Sequence, residues 1–338
     1  MRKKQVLFAV IVFGFALLLA ACGEKSQEDV VKKLDENIDK LDGYKTTAEM
    51  TMNTGEEAHS FQIDVWHKKK DFYRVSLENE EDEKGNQVIL KNEEGVFVLT
   101  PALDKSFKFQ TDWPQNSSQP YLYQSLVSDV LQDEDAEFEA TDKEYIFQTK
   151  TNYQSNNNLP YQEIHFDKKT YTPTKVKVLD KDKNALVNVT FSSFDTKPSF
   201  EKGDFARDNA SSESLADESV SGDEQDTSFT VLKPEFLAGS ELDEEKEVTF
   251  DDGKRVIMTF NGEKNYTLVE EKRSSVETMS SPKEVEGDIV NLGHSVGALS
   301  EKGIEWEQEG VSFHLASDEL TQEEMIEVAK SVQGKEVK

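Results

Sequence analysis

Run after run of this chain alternates apolar and polar residues with a period of two, and that spacing restricts it to sheet with one buried face. After Tyr44 the pattern takes in Phe61, Ile63 and Val65, then Tyr73, Val75 and Leu77. Val88 and Leu90, Val96 and Val98, and Phe107 and Phe109 continue it. Turn-forming clusters separate the runs: Asn53-Thr54-Gly55, Lys84-Gly85-Asn86, Asn92 to Gly95 and Pro101 to Asp104. The expectation is an antiparallel meander with one wet face and one apolar face. A second set of strands follows, with Tyr145 and Phe147, Ile164 and Phe166, Val176 and Val178, then Val187, Val189 and Phe191.

Helical spacing marks three further segments. Val30, Val31, Leu34, Ile38 and Leu41 predict a helix from Gln27 to Leu41, with Ser26 as N-cap, Asp29 three residues on, and Gly43 as the stop. Pro120 opens a second helix, with Leu122, Leu126, Val127, Val130 and Leu131 on one side. Near the end, Thr321 and Glu324 form a capping box, Met325, Val328, Ala329 and Val332 form an apolar stripe, and Gly334 closes the helix. Between the last two helices, Gly203 to Ser228 is rich in Ser, Asp, Glu, Gly and Ala and has too few apolar residues to build a core. The reading is a first domain over residues 22–205, an acidic linker over 206–228 and a small α+β domain over 229–338. In that last domain Val248 to Phe250, Val256 to Phe260 and Tyr266 to Val269 read as strands, joined by tight turns at Asp251-Asp252-Gly253 and Asn261-Gly262.

The N-terminus carries a targeting signal. Arg2, Lys3 and Lys4 precede an apolar run from Val6 to Ala21 broken only by Gly14. A membrane-spanning helix needs roughly 20 apolar residues, so this run is short for one and suits a signal-peptide core. It ends in Leu19-Ala20-Ala21-Cys22-Gly23, small residues before a cysteine, the pattern at which a bacterial lipoprotein is acylated and cut. The expectation is therefore a signal peptide over residues 1–21 and a covalent lipid on Cys22, holding the protein at the extracytoplasmic face of the cell membrane. Cys22 is the only cysteine, so once acylated it leaves no thiol for a disulfide, a metal site or a nucleophile. The body must be stable through its core alone, and 338 residues, 36% of them hydrophobic, suffice for two cores. A net charge of −29 argues against a nucleic-acid partner and repels an anionic bilayer, which gives the anchor a purpose.

Motifs for catalysis and metal binding fail on inspection. Gly293-His294-Ser295-Val296-Gly297 matches G-x-S-x-G, but that elbow needs a strand-to-helix turn over a parallel sheet, and no βαβ pattern surrounds it. Asp180, Asp182 and Asn184 have the opening spacing of an EF-hand loop, whose sixth position must be Gly and twelfth Glu; here these are Ala185 and Phe191. The segment reads instead as the polar tip of a hairpin. The acidic run Asp133 to Glu139 reads as a solvated surface, and the five histidines show no paired spacing. No catalytic residue, metal or cofactor is expected.

The pattern resembles the LolA/LolB/RseB group of extracytoplasmic lipoprotein-binding domains. The resemblance runs from about Glu28 to Phe205. It is carried by Trp66-His-Lys-Lys-Lys-Asp-Phe-Tyr-Arg-Val-Ser-Leu77, the paired strands of Val88 to Leu99, and Tyr161 to Asp167 followed by Thr172 to Asp180. Gly303 to Trp306, Gly310 to Leu315 and Glu324 to Val332 resemble a small domain of unknown function found in membrane-anchored Gram-positive proteins. The whole chain is most similar to YdcC-type sporulation lipoproteins of bacilli. The resemblance implies an α+β protein: an antiparallel half-barrel covered by helices, then a small α+β domain. It also implies a non-enzymatic role in binding an acyl chain, a lipoprotein or a membrane protein, in the manner of a carrier or of an RseB-like regulator. Parity selects Phe61, Ile63, Val65, Val75, Leu77 and Phe107 as candidates for the concave face. Arg74 matches the arginine of the family's basic strand. Helices that cover this face completely give a plain core, and helices that cover it partly leave a ligand cavity; alternation does not separate the two. The lipobox gives a direct test: Cys22→Ala should abolish labelling by a clickable palmitate analogue and release protein to the medium, and undiminished labelling would contradict it.

Overall fold

The computed structural model describes residues 25–53, 59–79, 86–103, 105–115, 117–153, 159–207, 209, 230–250, 253–273, 282–292, 295–308 and 310–333. The expected signal peptide, Cys22, most of the expected acidic linker and Gly334 lie outside these.

Helix α1 spans Gln27–Lys40 and is capped as its sequence predicts, the Ser26 hydroxyl accepting from the Asp29 N–H at 3.2 Å. The strands of the first domain are β1 (Gly43–Met52), β2 (His59–Lys68), β3 (Phe72–Asn79), β4 (Gln87–Asn92), β5 (Gly95–Thr100), β6 (Lys105–Gln110), β7 (Glu137–Ala140), β8 (Glu144–Lys150), β9 (Tyr161–Asp167), β10 (Pro173–Leu179) and β11 (Ala185–Asp195). Helix α2, Tyr123–Gln132, lies between β6 and β7 in the chain; Leu122 is its N-cap, and Pro120 lies in the turn before it rather than at its start. The second domain contains β12 (Lys233–Pro234), β13 (Ser240–Phe250), β14 (Gly253–Gly262), β15 (Tyr266–Arg273), β16 (Lys283–Glu286), β17 (Asp288–Asn291), β18 (Val296–Leu299), β19 (Gly303–Gln308), β20 (Val311–Ala316), helix α3 (Gln322–Lys330) and β21 (Val332–Gln333).

The first sheet runs β16-β6-β5-β4-β3-β2-β1-β11-β10-β9-β8-β7 and does not close. Its inner face wraps round α1 and α2. Phe109 on β6 and Phe147 on β8, near opposite edges, share one core with Val30, Leu34, Leu126 and Val127 of the helices. Register explains the inner face, since Ile63 stands opposite Leu77 and Val65 opposite Val75, all buried. This is a helix-covered half-barrel.

The expectation of a wet outer face fails on β4 and β5. Ile89, Val96 and Val98 point inward, whereas Val88, Leu90, Phe97 and Leu99 form a second cluster on the outside with Phe205. The cause is a segment beyond β11 that folds back, bringing Phe200 and Phe205 within 5.2 Å of each other, centroid to centroid, over that face. Gly43 permits the approach: a Cβ there would lie 2.5 Å from the His67 carbonyl oxygen and 2.9 Å from the Phe200 ring. Strands buried on both faces lose the alternating signal.

The second domain is a seven-stranded sheet, β13-β14-β15-β20-β19-β18-β17, with α3 against it. The capping box is present, Thr321 accepting from the Glu324 N–H and Glu324 accepting from the Thr321 N–H. The helix stops at Lys330, however, so Val332 belongs not to its stripe but to a two-residue ribbon in which β21 pairs with β12. The hairpin after β14 turns through Glu263 to Asn265 instead of Asn261-Gly262, which are still paired with β13.

A side chain in the filled part of the first core should behave as one. Phe61→Ala, at a site 8% exposed, should cost about 3–5 kcal/mol of unfolding free energy in urea, whereas Leu131→Ala, at a site 43% exposed, should stay within about 0.5 kcal/mol. A near-neutral Phe61→Ala would mean that the inner face is hollow there.

Candidate functional site

The two domains are joined edge to edge. Strand β16 pairs in parallel with β6, Val285 opposite Phe109, and so extends the first domain's sheet with a strand from the second. Val285, Val296 and Ala298 are part of the first domain's core. The Val296 N–H donates to Gln87 Oε1 at 3.0 Å, the Thr111 hydroxyl donates to Asp288 at 2.8 Å, and Lys105 pairs with the largely buried Glu307.

At this junction the core is incomplete. A partly open cavity of about 110 Å³ is lined by Met50 and Met52 of β1, Ile89, Val187, the segment Ser117 to Tyr121, and Tyr153 and Leu159 from the first domain. Ile289 to Asn291 and Val296, with Ile326 and Lys330 of α3, line it from the second. Its lining is mainly apolar, and it is somewhat smaller than the ~150 Å³ cavity that accepts one benzene. Neither domain alone forms it.

Buried polar groups shape one wall. Asp129 on α2, itself buried, accepts from the Ser118 hydroxyl at 2.9 Å and from Gln162 Nε2 at 2.6 Å. Burial pushes its carboxyl up to about 6, against the effect of the two hydrogen bonds. The Ser118 hydroxyl also accepts the Asn152 N–H at 2.7 Å, and the Tyr121 hydroxyl donates to Gln119 at 2.9 Å. On the opposite wall Lys330 leaves 15% of its side chain exposed, with the Glu327 carboxylate 3.7 Å from its ammonium. Burial lowers the Lys330 pKa, and Glu327 partly opposes this.

The residues selected from sequence lie elsewhere. Phe61, Ile63, Val65, Val75 and Leu77 do share the inner face, but the helices fill the space over them and none lines the cavity. Phe107 borders a second, smaller void of about 40 Å³ against Val285, Trp306 and Phe313. Arg74 has the opposite parity to Val75 and lies on the outer face, its guanidinium 4.8 Å from the Trp66 ring centroid. Met50 and Met52 were within reach of the parity argument, because Ala48, Met50 and Met52 alternate along β1. Ile326 and Lys330 gave no such signal, being one turn apart on the flank of the α3 stripe.

Ser295 lies between the antiparallel strands β17 and β18, with Gly297 paired to Val290, which is a strand–turn–strand and not the strand-to-helix elbow a nucleophile requires. Asp180 to Asn184 is a hairpin tip, with the Asp180 carboxylate accepting from the Asn184 N–H at 2.8 Å. In the acidic run, Asp133 and Asp135 face Lys150. Among the described residues no group of three or more His, Cys, Asp or Glu could hold a metal ion, and no helix is long and apolar enough to cross a membrane.

Fold and junction together define a two-domain α+β protein built on an open antiparallel sheet. The family described as sporulation protein YdcC-like matches residues 2–205, and a domain of unknown function (DUF4367) matches residues 226–332. The Bacillus subtilis (strain 168) protein named sporulation protein YdcC is 47% identical over 341 residues, covering 100% of both chains. The chain belongs to the YdcC-like family of sporulation proteins. Solved structures similar to it include MucB, at 13% identity and a TM-score of 0.37 over 91% of this chain and 98% of that one. A LolA superfamily protein from Nitrosomonas europaea is similar at 11% identity and a TM-score of 0.31, over 55% of this chain and 100% of that one.

The buried Asp129 carboxyl, behind the cavity-lining Ser118, predicts a pH signature. An acid whose folded pKa, about 6, exceeds its ordinary value of 3.8 holds more protons in the native state between those values, so native stability falls as pH rises through them. His67, pushed down to about 4 by burial, contributes the opposite trend, so the readout is a difference between variants. Relative to the parent, Asp129→Asn should gain on the order of 3 kcal/mol between pH 4 and pH 7, followed by urea denaturation. A parent–variant difference that is flat across this range would place the Asp129 carboxyl in a solvated setting.

Proposed function

We propose that this protein is a membrane-anchored, extracytoplasmic, non-enzymatic binding protein of spore formation that holds an apolar chain at the junction of its two domains. The observation that carries the reading is the apolar cavity lined jointly by β1, β17 and α3. A core under no functional demand packs to the density of an organic crystal, and an apolar void costs stability without compensation unless something enters it. The cavity is too small for a whole acyl chain, so loading requires the β17, β18 and α3 wall to draw back from β1. The junction is suited to that: it includes polar contacts such as Thr111 to Asp288 and Lys105 to Glu307, which water can replace, alongside the apolar insertion of Val285. Lipid on Cys22 would hold the body beside the membrane from which an acyl chain or a lipidated partner is drawn. The role in sporulation is supported by full-length relatedness to the Bacillus subtilis protein of that name.

Filling the cavity tests the reading. Val290 is only partly buried and borders the cavity, so Val290→Phe has room to be accommodated. The unmutated mature chain should bind a fluorescent fatty acid saturably, and Val290→Phe should weaken that binding by about tenfold or more at nearly unchanged stability, while Leu131→Ala leaves it unaltered. Equal binding by all three would remove the cavity as the site.

A further inference from the structure

The cavity is apolar on most sides but not electrically neutral. Lys330 stands one helical turn after Ile326, and both face the void. The lysine side chain is 15% exposed, which places it at the rim, and its ammonium stands 3.7 Å from the Glu327 carboxylate. The Ser118 hydroxyl is committed to Asp129 and to the Asn152 N–H, and the Asp129 carboxylate behind it carries the same sign as any anion that enters.

We infer that the cavity takes a single-chain anionic amphiphile, a fatty-acid carboxylate, with its tail against Met50, Met52 and Ile289 and its head on the Lys330 ammonium. This rests on the reading above that the junction holds an apolar chain. Three features fix the polarity. Asp129 repels the carboxylate from the inner wall, and Lys330 attracts it at the rim. The surrounding surface of a chain carrying a net charge of −29 gives no other general attraction for an anion, so affinity depends on the local cation. A neutral amphiphile would add no counter-charge to the one Glu327 supplies, and burial already disfavours the charged form of Lys330. The head is thus contributed by the second domain and most of the tail site by the first, so the ligand binds tightly only when the two are together.

The test compares dansyl-labelled undecanoic acid with its methyl ester, titrated into the full mature chain carrying Cys22→Ser so that it purifies without detergent. The unmutated pocket should prefer the acid by roughly tenfold, the low end of what a hydrogen bond to a charged group contributes. Lys330→Gln should bring the acid down to the level of the ester and leave the ester unchanged, and Lys330→Arg should keep the preference. Equal affinity for acid and ester in the parent, or a preference that survives in Lys330→Gln, would overturn the assignment of the head while leaving the apolar-chain reading in place. Failure of both probes to bind the parent would overturn that reading and this one together. The acid-against-ester comparison in the parent decides the question even if Lys330→Gln does not fold.

Discussion

The parallel pairing of β16 on β6, and the insertion of Val285, Val296 and Ala298 beneath it, bring part of the second domain into the first domain's core, beside a core the second domain keeps for itself. The first domain's sheet is open, and its inner face is wider than α1 and α2 can cover. The second domain therefore completes the core at one edge. It does so incompletely, and the remaining void is where two separately folded surfaces meet. At a junction its size is set by how two sheets and a helix dock, and it changes when they move.

This design also follows from the chemistry of the chain. With its one cysteine at position 22, the body has no disulfide available, so burial has to supply the stability. Both faces of β4 and β5 are consequently used, the inner one against the helices and the outer one against Phe200 and Phe205. Most charge is kept outside, with exceptions such as Asp129, Glu270 and Glu307. Strand β13, an edge strand with most of its residues exposed, carries Glu241, Asp243, Glu244, Glu245 and Glu247, which discourages pairing with another sheet edge.

Local signals in the sequence were reliable where the structure is local. The Ser26 and Thr321 caps, the first helix, the alternation of β2 and β3 and the hairpin tip at Asp180 could all be read from the residues concerned. Features that depend on distant segments could not. Nothing within Val88 to Leu99 says that Phe205 will cover its outer face, and Val88 and Leu90, which read as ordinary alternation of an inner face, lie on that outer face. Lys283 to Glu286 is charged at three of four positions and has no strand signature, yet it forms the edge of the larger sheet because β6 offers it an unpaired backbone. The candidate site suffered in the same way. Parity selects Phe61, Ile63, Val65, Val75, Leu77 and Phe107 for one face, but which part of that face stays unfilled is decided by the docking of α3 and β17. That information is spread over residues more than 200 positions apart, as in the hydrogen bond from Val296 to Gln87.

The central claim is that an apolar chain is held between the domains, and photo-crosslinking tests it most directly. A fatty acid carrying a diazirine near its terminal methyl, bound to the mature chain, irradiated and mapped by peptide mass spectrometry, should label Met50 and Met52 on one side and the Ile289 to Asn291 or Ile326 peptides on the other. Labelling confined to the Phe61 to Leu77 strands, or scattered over the exposed surface without saturation, would contradict the account.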